Sequence, residues 1–242
     1  MSPISTASVV LLLSIFVTGC AAGYRPENGH MVFSEMTENG RINHGIRETI
    51  SGSFSQLGDH EYAKDDEHVF YRGSAITGAP PRSFRYLGDL FSKDEAHVYW
   101  CDRVIEGADP ATFKILDGKN LWAKDGHDVY FADRHLSVQD VRTFVLIKDG
   151  WGKDDRAFYY AGSFNPRIGV VPCHHESMAI LDEYYAKDLQ NVFYEGEQVP
   201  GADPVSFRVT GPWSGADKSR TYRFGEPNSE GRVKHQPSHN PG

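Results

Sequence analysis

The sequence predicts an all-β chain of tandem repeats of about 30 residues, forming short-stranded meanders in a propeller-like or β-solenoid-like arrangement. Three observations predict it. A phrase recurs: "YAKDDEHVFYRG" at residues 62–73 returns as "FSKDEAHVYWCD", "WAKDGHDVYFAD", "WGKDDRAFYYAG" and "YAKDLQNVFYEG". Its aspartates, Asp65, Asp94, Asp125, Asp154 and Asp188, with Asp217 in the weaker "GADKSRTYRFG", follow at nearly even steps, the longest being that from Asp154 to Asp188. An apolar run begins four residues after every one of them, at Val69, Val98, Val129, Phe158 and Val192, with Thr221 as the degenerate member. A fixed offset inside a drifting period puts the tight geometry at that turn.

Each unit reads as three short apolar segments. The first begins at Phe54, Phe84, Phe113, Phe144, Met178 or Phe207. An aromatic then precedes the aspartate (Tyr62, Phe91, Trp122, Trp151, Tyr185, Trp213), which reads as a second strand. The aspartate is expected to close a hairpin as an Asx turn, its side chain accepting backbone N–H groups. The triplets "VFY", "VYW", "VYF" and "FYY" form the third strand. Successive side chains alternate, so these strands carry bulky groups on both faces and must be packed on both. Between units lies "GADP", at residues 107–110 and 201–204, with "GAPP" at 78–81. Glycine permits a positive φ, and Asp before Pro suits the cap of one helical turn, so the repeat carries its own corner.

The "KDxxxVYY"-like phrases and the "GADPxTF" corner resemble the DKNYY repeat family of bacteria, over roughly residues 51–225. The resemblance implies an envelope-associated β-repeat protein and delivers no mechanism. Two stretches depart from the pattern: "RHLSVQDVRTF" lacks the GADP corner, and "AGSFNPRIGVVPCHHESM" reads as an insertion. Residues 20–50 are expected to be a linker or a degenerate first repeat, with Val32 and Phe33 in the apolar position. Residues 226–242, with one aliphatic side chain, are expected to be a disordered tail.

At the N-terminus, the apolar run from Ala7 to Val17 is too short for a bilayer span and suits a secretory signal over residues 1–19. "VTGC" resembles the lipobox of bacterial lipoproteins, which implies lipidation at Cys20 and a membrane attachment there. Ala21 after it implies the outer membrane, facing the periplasm. The usual basic residues at the start of such a signal are missing from "MSPISTASVV". A net charge of −8 argues against nucleic acid as a partner. In an oxidising compartment Cys101 and Cys173 form a candidate disulfide. For a loop of their separation, closure would contribute about 4 kcal/mol; pairing and free thiols both fit the sequence.

Candidate chemistry is thin. The recurring aspartates supply one carboxylate per unit, too few for a calcium loop, and read as structural turn residues. His68 and His97 share a position, with His127 one place earlier, and read as turn residues rather than metal ligands. "CHHE", with His174, His175 and Glu176 after Cys173, is the most enzyme-like stretch, but it lacks zinc spacing and reads as a candidate interaction loop. Trp100, Trp122, Trp151 and Trp213 recur with the strands and read mostly as core, with room for one or two on a sugar-binding edge. No catalytic residue, metal or cofactor is expected. The expected function is a non-enzymatic envelope lipoprotein that presents a β-repeat surface to a protein partner, with an immunity protein against a secreted effector as the sharper version. The alternatives are a glycan or peptidoglycan binder and, behind it, an enzyme using the Cys173–Glu176 cluster.

Overall fold

The computed structural model describes residues 22–116, 121–148, 150–162 and 168–232, with side chains up to 228. It is all-β apart from one 3-10 turn at His175–Ser177. Seven small antiparallel sheets follow one another along the chain. The first has three strands, Gly23–Glu27, His30–Thr37 and Gly40–Gly45. The second has four, Ser55–Leu57, Tyr62–Lys64, Val69–Tyr71 and Ser74–Ala75. The remaining five repeat that four-stranded meander within residues 85–104, 114–136, 145–171, 179–198 and 208–232.

The five inner sheets bury both faces, and the core is a series of layers between sheets. Tyr62 and Val69 of the second sheet pack forward against Phe84 and Tyr99, while Ala63 and Phe70 pack backward against Tyr24 and Phe33. The same division recurs at every junction, and each of the six hydrophobic clusters joins two consecutive sheets. The corner phenylalanine lies between rings of both neighbours. Phe144, for example, has its centroid 5.6 Å from Trp122 and 5.8 Å from Tyr159. Room for that ring comes from the small residue behind it: a Cβ on Gly152 would sit 2.4 Å from Phe144 Cζ.

The two ends depart from the repeat. In the first sheet, Tyr24 donates its hydroxyl to Glu61 O (3.1 Å) and accepts from Gly73 N (3.0 Å). Tyr185 makes the equivalent pair with Trp213 O and Gly225 N. By this wiring, residues 23–45 are a repeat that lacks its first strand rather than a linker. The strand edge left by that loss is occupied. The Gln56 side-chain amide accepts from Tyr24 N (3.3 Å) and donates to Tyr24 O (3.1 Å). Two residues on, Pro26 has no N–H to offer an incoming strand. At the other end, Ser214, Thr221 and Arg223 stand where the earlier four-stranded sheets carry an aromatic, a valine or phenylalanine, and an aromatic. The last sheet therefore turns a polar face outward, as a terminal repeat must. The tail expected from residue 226 begins as a strand, Glu226–Arg232, paired with Arg220–Arg223, a correction to the disordered reading. The strand forms because backbone pairing needs no apolar side chain. Residues 233–242 lie outside the described residues.

Candidate binding surface

The turns of the meanders gather on two opposite ridges. On one ridge stand the aspartate turns and the corners between sheets. Every repeat aspartate is buried, at 2–5% exposure. In all six, Oδ1 accepts the backbone N–H groups two and three residues on, at 2.6–2.8 Å. In five, Oδ2 reaches back to the preceding corner, as Asp125 does to Asp109 N (2.9 Å) and Asp188 to His174 N (2.7 Å). Asp94 has no such bond, because its corner residues are Pro80 and Pro81, which carry no N–H. Tyr99, Tyr130, Tyr159 and Tyr222, five residues on from their aspartates, donate to Oδ2 at 2.6–2.7 Å.

The lysine before the aspartate works in the opposite direction. Lys64, Lys93 and Lys187 each donate to a corner carbonyl 17 residues ahead, at Pro81, Pro110 and Pro204, at 2.7–2.8 Å. Sequence reading missed this role, although the constant "KD" pair was its signal. The pairs Lys64–Asp65 and Lys187–Asp188 thus tie their hairpins to the corners on both sides, and Lys93–Asp94 ties its own to the corner ahead.

Burial alone would raise these carboxyls, but the backbone N–H groups facing all six, joined by a tyrosine hydroxyl at Asp94, Asp125, Asp154 and Asp217, outweigh it and hold them below the ordinary 3.8. A depressed carboxyl contributes stability above its unfolded pKa and loses it as pH falls through the folded value. Urea unfolding should therefore give a constant midpoint from about pH 7 to 5 and a steep fall below about pH 4. Undiminished stability at pH 3 would contradict this role.

The "CHHE" stretch is a corner of this ridge, a correction to its reading as an insertion. His174 takes the place of Asp109 and Asp203, and Ser177 accepts Leu189 N (3.2 Å) as Thr112 accepts Gly126 N (3.0 Å). The extra residues lie earlier, in the hairpin between Phe158–Ala161 and Ile168–Val171. His174 and Glu176 are exposed, and the His175 ring packs on Phe158 at 5.0 Å. The candidate disulfide is also corrected. Cys101 and Cys173 are both free, the first at the hairpin end of the third sheet and the second packed where the fifth meets the sixth. Burial pushes both thiols up, Cys173 to about 11, so neither is a ready nucleophile near neutral pH. Among the described residues no group of His, Cys, Asp and Glu could hold a metal ion. His68 and His97 each lean on their own aspartate, at 3.4 and 3.7 Å. Cys20 lies outside the described residues.

The opposite ridge holds the other two turns of each meander, and there one hydrogen bond recurs without a shared side chain. The N–H donors Arg72, Cys101, Ala132, Ala161, Glu195 and Phe224 reach the carbonyls of Glu61, Leu90, Leu121, Gly150, Tyr184 and Trp213, at 2.7–2.9 Å. The backbone is constant and the side chains are not. Arg72, Arg103 and Arg134 lie in three consecutive sheets, each guanidinium over a ring of its own sheet: Tyr71 (5.6 Å), Trp100 (5.4 Å) and Phe131 (5.4 Å). Arg72 also pairs with Glu61, and Arg103 with Asp133 of the next sheet at 2.8 Å. Trp122 and Trp151 are fully buried and form no surface, whereas Trp213 is 41% exposed. Its register differs from the sequence expectation: Ser214 holds the strand position, and Trp213 sits in the turn before it with φ 55°.

Comparison with known families gives one finding. The model of the DKNYY family matches three overlapping segments, residues 24–103, 62–171 and 91–226. No curated protein and no solved structure matches the chain.

Proposed function

We propose, for a chain that belongs to the DKNYY family, a non-enzymatic role in the cell envelope: the side-chain-variable ridge is the surface on which a protein partner is recognised. The observation that carries this reading is the contrast between the ridges. One is consumed by hydrogen bonds that every repeat needs. The other is held by a recurring backbone bond, with buried Tyr24, Tyr62, Trp151 and Tyr185 reaching its turn carbonyls from below, and leaves the side chains at the bonded turn positions to vary, as on the binding face of a repeat protein. Arginine and tryptophan, the types that dominate binding energy at interfaces, stand on it. In this reading Cys20 carries the lipid anchor and places the protein at the outer membrane, facing the periplasm. Only Ala21 and Ala22 separate it from the first strand, so the body rides directly on the bilayer surface. No helix among the described residues is long and apolar enough to cross a membrane.

The test is affinity capture from native envelopes with the tagged full chain, alongside a variant with Arg72, Arg103 and Arg134 changed to Ala. The expected result is one stoichiometric protein that the variant fails to retain. A secreted antibacterial toxin in that position, with sensitivity of cells lacking this protein, would make it an immunity protein. Retention by the variant at full strength, or no captured protein, overturns the reading.

A further inference from the structure

At its C-terminal end the variable ridge becomes aromatic. Four rings run in sequence across the last two sheets: Tyr194 stacks on Tyr184 (6.1 Å, 17°), Tyr184 meets Trp213 (6.0 Å), and Trp213 stacks on Phe224 (5.8 Å, 27°). Trp213 and Phe224 are 41% and 51% exposed. The fold does not need them. The same two positions hold Gly150 and Ala161 in the fifth sheet, with the same backbone bond. Both rings also sit in the left-handed region, at φ 55° and φ 51°. Bulky L side chains adopt that region at a cost, and glycine adopts it freely. The same positive φ recurs at Arg72, Leu90, Cys101, Leu121, Ala132 and Glu195, so the repeat imposes this backbone and what is particular to the last sheet is the pair of exposed rings placed on it.

We propose that Tyr184, Tyr194, Trp213 and Phe224 form a binding site for the neutral pyranose rings of a glycan, a function beyond the protein-partner reading. The exposed parts of Trp213 and Phe224, backed by the half-buried Tyr184 and Tyr194, suit the C–H faces of sugar rings, and polar groups beside them can meet the hydroxyls. The surrounding charge selects among ligands. The Arg223 guanidinium lies over Phe224 (5.2 Å), which disfavours an ammonium ligand there. The charges of Glu183 and Glu195 reach Tyr184, and that of Glu195 reaches Tyr194. With the net charge of −8, they disfavour a polyanion. A neutral polyhydroxyl ligand meets neither objection.

The experiment follows the indole N–H resonance of Trp213 in the full chain while chitohexaose, cellohexaose or maltohexaose is added. At least one probe should shift that signal saturably at or below about 1 mM. Trp213→Ala and Phe224→Ala, followed through the remaining aromatic signals, should each weaken binding about tenfold, and Arg72→Ala should leave it unchanged. Trp213→Gly should melt no lower than the parent, because glycine suits that φ. Silence from all three probes, unchanged binding in the ring variants, or a marked loss of stability in Trp213→Gly would each overturn the site. Because the protein capture uses the arginines and this test uses the rings, either proposal can fail alone.

Discussion

Asp154→Ala should destabilise the protein by about 3–5 kcal/mol, among the largest effects of any single substitution. Its carboxylate accepts from Gln139 N, Asp140 N, Arg156 N, Ala157 N and Tyr159 Oη, all at 2.7–3.0 Å. Removing it strands donors in a site where the side chain is almost wholly buried, and such stranded donors carry the full desolvation cost. Asparagine separates the contributions. Asp154→Asn keeps an acceptor for the forward pair but turns an NH2 group toward Gln139 N and Asp140 N, and should cost about 2 kcal/mol. Asp94→Asn should cost under about 1 kcal/mol, because prolines stand at its corner and its second oxygen faces only the Tyr99 hydroxyl. Urea melts of the three variants at pH 7 measure the order. Equal losses for the two asparagine variants would refute the corner bond as the source.

Trp122→Ala should cost about 3–5 kcal/mol through the cavity it leaves. The ring is fully buried and shared between sheets, packed on Phe131 of its own sheet and Phe144 of the next junction. The location of the loss is as informative as its size. Where each layer joins only neighbours, stability is close to a sum of unit and junction contributions. Amide exchange should accelerate most in the fourth and fifth sheets and least in the first and seventh. A uniform acceleration along the chain would mean that the row unfolds as one cooperative unit.

Much of this architecture is legible because it is written in side chains. The constant step from aspartate to valine marks the hairpin, and bulky triplets mark strands covered on both faces. What escapes is written in the backbone. Nothing in "PCHHES" signals that His174 offers only its N–H to Asp188, so four reactive residue types look like chemistry when they form a corner. The strand at Glu226–Arg232 has almost no apolar signature, because it is held by pairing to one neighbour. Residue type alone puts Trp213 in the strand, while its turn conformation and its stacking on Phe224 follow from a contact between two separate turns of the last sheet. The binding ridge is least legible of all, since its defining bond links carbonyls and N–H groups of unrelated residues.

A chain built from near-identical modules is always close to becoming a fibre, since whatever joins one module to the next could also join one molecule to another. The Gln56 amide, folded back onto the backbone of Tyr24, works as a stopper against that outcome. It fills the place where a foreign strand would dock, and Pro26 removes the next foothold. The polar face of the last sheet closes the opposite end. Among the described residues both ends of the row of sheets are thereby turned away from pairing with a second copy.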